Sequence, residues 1–458
     1  MVDYDLAIVG SGGAAFGAAI EARRRGARVV MVEGNVVGGT CVNVGCIPSK
    51  TLLAAATARR TASSHPFAGV ATSAGPVDPA PLIGQKDELV AEMRQHRYLD
   101  LADLYGFEIV SGHAQFRDTA TLTIDGHDVS AGAYLVATGS ESTIPPLPGL
   151  AQADFLTSTT AMEQSSLPKR LVTIGGGFVG LELSQLYARL GSRVTIIGRL
   201  APRAEPELAS RLRMILAEEG IDVVNARATA VAAHGRTKSV HTDRGRSFDG
   251  DAVLVAAGRR ARLDGLELRA ARVEIDDAGF VTVDASLRTT NPRVYAAGDV
   301  TGGPQFVYVA AAQGHLAATN ALANSDDTID YTGLPSVVFT DPQLASAGLT
   351  EAQAVEAGHD CDCRVLGLDN VPRALVEHDT RGAIKLVADR RTGKVLGVHV
   401  LAAGAGDLVL AGVYAIKFGL TIDDLATTWA PHLTISEALR LVAQSFTRPI
   451  DQLSCCAA

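Results

Sequence analysis

Two cysteines five residues apart, Cys41 and Cys46, stand in the run Gly38-Gly39-Thr40-Cys41-Val42-Asn43-Val44-Gly45-Cys46-Ile47-Pro48-Ser49-Lys50. Thiols at that spacing can bridge where a helix begins. A helix N-terminus favours the thiolate, and Lys50 one turn on adds positive potential, so the pair is expected to react at neutral pH. A second pair, Cys455 and Cys456, is adjacent in the last six residues. Consecutive Cα atoms sit about 3.8 Å apart, short of the usual disulfide range. Such a pair reads as a mobile dithiol arm, and soft thiolates select soft metal ions; Hg(II) favours two of them in line. The third pair is Cys361 and Cys363. Structural disulfides are rare in the cytosol, so three close pairs point to redox or metal chemistry.

The elements around Cys41 explain where it would act. Asp5 to Val9 is an apolar run, read as a buried parallel strand. It leads into Gly10-Ser11-Gly12-Gly13-Ala14-Ala15, then a helix-compatible stretch over 14–25, then a strand over 28–33 ending in Glu33. This is the strand–turn–helix–strand setting of a dinucleotide fingerprint, with Glu33 placed for ribose hydroxyls. The pattern recurs: Leu171 to Ile174 runs into Gly175-Gly176-Gly177-Phe178-Val179-Gly180, followed by a helix and a strand over 193–197. At the position of Glu33 the second unit has Gly198, followed by Arg199. Loss of the carboxylate beside an arginine favours NADPH over NADH. Later strands end in the small-residue turns Thr138-Gly139-Ser140, Ala257-Gly258-Arg259 and Ala297-Gly298-Asp299. Two dinucleotide sites in one chain imply two redox nucleotides face to face, with flavin and nicotinamide the natural pair.

From about residue 330 the pattern changes to strands over 383–388 and 395–400 and then helices, read as a separate α+β domain. Residues 60–85 read as an irregular connection. The 458 residues carry a net charge of −9, which disfavours a nucleic-acid partner. The apolar stretch from Leu401 to Leu420 contains Asp407, Lys417 and glycines, so it reads as a strand end, a loop and a buried helix, not a membrane span. The first residues lack a basic region of a secretory signal, and the expected location is cytoplasmic.

The segment around Cys41 and Cys46 resembles the redox site of the pyridine nucleotide–disulfide oxidoreductases, and the likeness extends from Asp5 to the C-terminus. It implies an α/β fold with an FAD unit in two parts (residues 1–148 and 266–330), an NADPH unit (149–265) and an α+β dimerisation domain (331–458). It implies a homodimer with active sites built from both subunits. By position, Cys46 would lie next to the flavin and Cys41 would be the outer, attacking thiol. Lys50 would sit near flavin N5 and pair with Glu182; Asp299 would bind the ribityl chain. Thr40, Ala114, Thr138, Gly139, Val307 and Gly258 fall at cofactor-contacting positions, beside the fingerprint residues Gly10, Gly12, Gly13, Ala14, Ala15, Glu33, Gly175, Gly177, Gly180 and Arg199.

Within that family the Cys455-Cys456 ending and the stretch Leu368 to Gly382 resemble the mercuric reductases. The implied activity is NADPH-dependent reduction of Hg(II) to Hg(0), with the tail pair handing the metal to Cys41 and Cys46 of the other subunit. Tyr98 matches a tyrosine near the inner metal site. The sequence departs at Pro431-His432-Leu433-Thr434-Ile435-Ser436-Glu437, where this branch usually has tyrosine for His432. Disulfide-reducing members have a histidine backed by a glutamate, as His432 and Glu437 are, but with proline in place of Leu433. The rival expectation is therefore a dithiol–disulfide reductase using this pair as acid–base. Cys361 and Cys363 have no counterpart there and are expected to be exposed, incidental thiols, with a secondary metal-buffering pair as the alternative. The sequence opens on the flavin fingerprint, so the expected metal source is small thiols or another protein.

Overall fold

The computed structural model describes residues 2–452. Strand Tyr4–Val9 lies between Val29–Glu33 and the long strand His127–Val136, all parallel, with Glu108–Ser111 outside Val29–Glu33. The C-terminal half of His127–Val136 also pairs with Val294–Ala296, while its N-terminal half turns antiparallel to Thr121–Ile124. The strands are almost wholly apolar because both faces are covered. Helices Gly13–Arg24 and Val307–Ala323 cross with very little separation. A Cβ on Gly314 would stand 1.9 Å from the Ala14 carbonyl oxygen, and one on Gly17 2.5 Å from that of Ala311. Only glycine lets these backbones meet.

The second unit is a four-stranded parallel sheet in the order 221–224, 193–197, 170–174, 252–255, with helix Phe178–Leu190 following the fingerprint. A three-stranded antiparallel sheet (228–234, 237–242, 247–250) packs beside it. The chain enters and leaves this unit through one antiparallel ribbon, Ser140–Ser142 against Arg259–Ala261. The C-terminal part is a five-stranded antiparallel sheet ordered 335–338, 343–348, 395–402, 383–389, 361–367, backed by helices Ala405–Lys417 and Glu437–Gln444. Buried Lys385 on this sheet meets Glu205, Glu207 and Glu351 at 2.7–2.9 Å, tying it to the nicotinamide-side unit.

The irregular connection is shorter than the sequence suggested. Helix Cys46–Ser63 extends into it, and Pro79–Arg94 starts within it, with Pro79 at the first position and Asp78 capping Ala80 N–H. The stretch 401–420 resolves into the end of a strand at Ala402 and helix Ala405–Lys417. Among the described residues no helix is long and apolar enough to cross a membrane.

Candidate active site

Cys41 lies in the short helix Gly39–Val44, and Cys46 opens helix Cys46–Ser63. Gly45 joins them with its α-carbon so close to the Thr40 carbonyl that a side chain there would meet it at 2.8 Å. Both sulfurs are thiols here and half-buried. The Cys41 thiol donates to Cys46, and Lys50 lies one turn along, so Cys46 is brought down to about 7 despite its burial. Cys41 is pushed the other way, because it holds the proton that the Cys46 sulfur needs. The two thiols are thus unequal: Cys46 is the more acidic sulfur of the pair and Cys41 the less acidic.

Lys50 Nζ lies 2.7 Å from Glu182 Oε2. Glu182 is almost fully buried in helix Phe178–Leu190, and its other oxygen accepts the Phe339 N–H at 2.9 Å. The Lys50 ammonium also sits 4.5 Å from the centroid of the Phe339 ring. One turn and two turns further along the same helix, Gln185 bonds both the N–H and the carbonyl of Asp341, and Arg189 reaches the Asp341 carboxylate at 2.7 Å and Glu219 at 2.6 Å. Arg189 also donates to Thr57 of the cysteine helix. This one helix therefore fastens all three units beside the thiols. The pairing of Lys50 with Glu182 was expected; the roles of Phe339 and Asp341 were not, although both stand where the sequence changes character.

The first fingerprint has the shape of a pyrophosphate cradle. Gly10 has φ +105° and a Cβ there would stand 2.4 Å from the Ala137 carbonyl. Helix Gly13–Arg24 has no side-chain cap, leaving its first N–H groups for a ligand. Glu33 ends its strand and accepts from Ser11 Oγ at 2.5 Å, holding the carboxylate at the cleft. The Thr138 hydroxyl is buried at the next strand end with no partner among the described residues, and Gly139 beside it faces open space. Ala114 is buried just past the strand that pairs with Glu33's, and Val307 begins the helix that crosses the fingerprint, its side chain near Gly13. Thr40 precedes Cys41 in its helix. Ser140 Oγ donates to Asp299 at 2.5 Å and receives Arg259 Nε at 2.7 Å. In the sequence Ser140 and Arg259 read only as the ends of small-residue turns, not as site residues. These features fit FAD: an orphaned hydroxyl, uncapped N–H groups and a Cβ-free cradle.

The second fingerprint repeats the geometry. A Cβ on Gly175 would stand 2.1 Å from the Ala256 carbonyl, Gly180 is equally tight against Gly175, and Gly177 opens on free space before an uncapped helix. Ser184 of that helix bonds Thr173 of the preceding strand. Gly198 has φ +153° and Arg199 projects its side chain into solvent. Gly258 lies at the adjoining strand end with φ +119°. A dinucleotide with a 2′-phosphate fits this cleft.

Tyr98 stands in a five-residue π-helix, Gln95–Leu99, a form often found at functional sites. Its ring packs edge-on to Phe16 at 4.8 Å. Burial, then the charge of Cys41 and Cys46, pushes its hydroxyl up to about 12. It is half-buried against Phe16 and close to Gly38 at the head of the Cys41 helix. His432 Nδ1 and Glu437 Oε1 are 3.0 Å apart, and Glu437 Oε2 accepts the Leu433 N–H at 2.8 Å. Leu433 has φ +60°. Proline cannot adopt that angle, so the departure at Leu433 is one of backbone shape as well as side chain. Among the described residues no hydrogen bond or ion pair joins this dyad to Cys41 or Cys46 within one chain. Cys455 and Cys456 lie outside the described residues. Cys361 and Cys363 are half-buried, which corrects the expectation of exposed thiols.

Residues 4–314 match the family model described as pyridine nucleotide-disulphide oxidoreductase, and residues 334–443 match its dimerisation domain. A mercuric reductase from Streptomyces lividans is 52% identical, the match covering 99% of this chain and 98% of the relative. One from Bacillus cereus is 47% identical over 99% of this chain and 73% of its own length. Among solved structures, an HOCl-induced flavoprotein disulfide reductase from Escherichia coli superposes with a TM-score of 0.87 at 29% identity, covering 96% of this chain and 99% of that one. The chain belongs to the pyridine nucleotide–disulfide oxidoreductases, on the branch that holds the mercuric reductases.

Proposed function

We propose that this protein is an NADPH-dependent flavoenzyme that reduces Hg(II) to Hg(0). The observation that carries the reading is the Cys41–Cys46 pair at a helix start beside the Lys50–Glu182 ion pair, in a chain 52% identical to a mercuric reductase over 99% of its length. Gly10, Gly12, Gly13, Ala14, Ala15, Glu33, Thr40, Ala114, Thr138, Gly139, Asp299 and Val307 would hold FAD. Gly175, Gly177, Gly180, Arg199 and Gly258 would hold NADPH, with Arg199 meeting its 2′-phosphate. Bound FAD would carry the electron pair of NADPH to the thiol site.

The residues then act by ligand exchange. Cys455 and Cys456 of one subunit take Hg(II) from a small-thiol complex and return two free thiols. Cys41, the outer thiol, attacks the metal first, its proton passing to the departing tail sulfur; Cys46 follows as thiolate and displaces the second. Lys50, held by Glu182 and Phe339, keeps positive potential at Cys46 throughout. Tyr98, packed on Phe16 and close to Gly38, would lie near the inner metal site. The overall balance is NADPH plus Hg(II) giving NADP⁺, a proton and Hg(0). The reading takes the protein as a cytoplasmic homodimer with shared sites, divided at residues 148, 265 and 330.

The 3.0 Å His432–Glu437 contact favours a second reading, a dithiol–disulfide reductase with this dyad as acid–base. One experiment separates them: NADPH oxidation with Hg(II) in excess thiol, trapping Hg(0), with lipoamide and glutathione disulfide in parallel. Matching Hg(0) supports the first reading. Turnover with a disulfide alone refutes it. Cys455→Ala with Cys456→Ala should cut mercury turnover sharply and spare disulfide turnover; unchanged mercury turnover refutes the tail handover.

A further inference from the structure

Cys361 and Cys363 lie on Cys361–Gly367, the edge strand of the C-terminal sheet. Side chains two apart on a strand share a face. The pairing Cys361 with Asp389, Cys363 with Val387 and Val365 with Lys385 is unbroken, so both thiols stand on the Lys385 face. Asp362 and Arg364 point the other way, Arg364 stacking 4.8 Å from the Phe446 ring. The sheet pairing keeps the two Cα atoms roughly 6.7 Å apart, from a rise of about 3.3–3.4 Å per residue.

That separation decides the chemistry. A disulfide requires Cβ atoms about 3.8 Å apart, which an extended strand does not allow at this spacing. A linear metal centre with metal–sulfur bonds of about 2.3 Å needs sulfurs roughly 4.6 Å apart. Two strand cysteines reach that by turning toward each other. Among the described residues no group of three or more His, Cys, Asp and Glu could hold a metal ion, so a tetrahedral zinc site is not formed here. The ion must be content with two sulfurs, which limits it to a soft, linear one.

Charge then selects among soft ions. Cys361 lies among Glu351, Asp360 and Asp389 with Arg390 as its opposing charge, and Cys363 lies near Glu351 and Glu205 with Lys385 opposing them. Burial pushes the Cys363 thiol up to about 12 and Cys361 is also raised, so both are protonated when free. A monovalent ion on two thiolates leaves a net negative centre among these carboxylates. Hg(II) on two thiolates is neutral, which suits a half-buried site.

We propose that Cys361 and Cys363 form a second, two-coordinate Hg(II) site on the edge of the C-terminal sheet, separate from Cys41 and Cys46. Loading exchanges ligands without electron transfer: RS–Hg–SR and two cysteine thiols give the protein bis-thiolate and two RSH. The site stores metal outside the redox cleft, and it stands or falls independently of the reductase reading.

The test uses the flavin-loaded protein with Cys41, Cys46, Cys455 and Cys456 all changed to Ser. It is loaded with the Hg(II)–glutathione complex without NADPH, gel-filtered, and assayed for mercury per subunit. About one Hg(II) per subunit should remain, with two sulfur neighbours by X-ray absorption. Adding Cys361→Ser or, separately, Cys363→Ser should cut retention at least tenfold while flavin content and elution volume stay constant. Cu(I) supplied in the same way should be retained less. No retained mercury in the four-Ser protein, or retention that survives either single change, overturns the proposal. Because NADPH is absent, neither result bears on turnover.

Discussion

Replacing Lys50 with Met should move the Cys46 titration upward. The Cys41 hydrogen bond is the largest influence holding Cys46 at about 7, and Lys50 adds to it. Lys50 is four residues along the same helix, a spacing that puts Cβ atoms about 5–6 Å apart. A unit charge at roughly 6 Å and an effective dielectric of about 20 is worth about 3 kcal/mol, or roughly two pK units. Glu182, 2.7 Å from the ammonium, cancels part of that. A net rise of about one unit remains, to a midpoint of about 8. The thiolate is the form present above the midpoint and lost as pH falls through it. At pH 7 its share therefore drops from about half to about a tenth, a fivefold loss of reactivity. The assay is the pH dependence of iodoacetamide labelling of Cys46 in the reduced, flavin-loaded protein, followed by mass spectrometry. Glu182→Gln should shift the midpoint the opposite way, because its charge opposes the thiolate. An unmoved midpoint in Lys50→Met, or shifts of the same sign in both variants, would refute the electrostatic account.

Three further outcomes follow from particular contacts. Thr138→Val should weaken FAD binding about five- to tenfold, the worth of one hydrogen bond, while leaving the flavin-free protein as stable or more so, since the orphaned hydroxyl is removed; equilibrium dialysis and thermal unfolding check both halves. Arg199→Glu should reverse the nucleotide preference, costing at least tenfold in kcat/KM for NADPH with little change for NADH, the arginine being exposed and otherwise bonded only weakly to the Pro202 carbonyl. Leu433→Pro should destabilise by about 3 kcal/mol, because it cannot take φ +60° and loses the N–H bonded to Glu437, whereas Leu433→Gly should fall within about 1 kcal/mol of the parent in denaturant unfolding.

What could be read from sequence was local. The two glycine turns, Glu33, the Gly198–Arg199 substitution and the Cys41–Cys46 spacing each declare themselves within about thirty residues, because a turn or a helix start is set by neighbours. The pairing of Lys50 with Glu182, 132 residues away, was legible only through resemblance. Phe339, Asp341 and Arg259 carry no local signature: an aromatic after a strand and an arginine at the start of a short strand acquire meaning only when distant segments fold against them. Leu433 shows the same limit in the backbone, since a leucine gives no sign that its φ is positive. Cys361 and Cys363 were misplaced on the surface because their strand's edge position does not reveal how much of each thiol the sheet covers.

The helix Phe178–Leu190 begins at the nicotinamide-side glycines and, along its length, presents Glu182, Gln185 and Arg189 to the cysteine helix and to residues 339–341. It acts as a strut common to three units. Displacing any one unit would break the Glu182–Lys50 and Arg189–Asp341 pairs together, so this helix opposes relative motion of the units. A change at Arg189 would loosen the cysteine helix at Thr57 and the 339–341 segment at once, far from either nucleotide cleft.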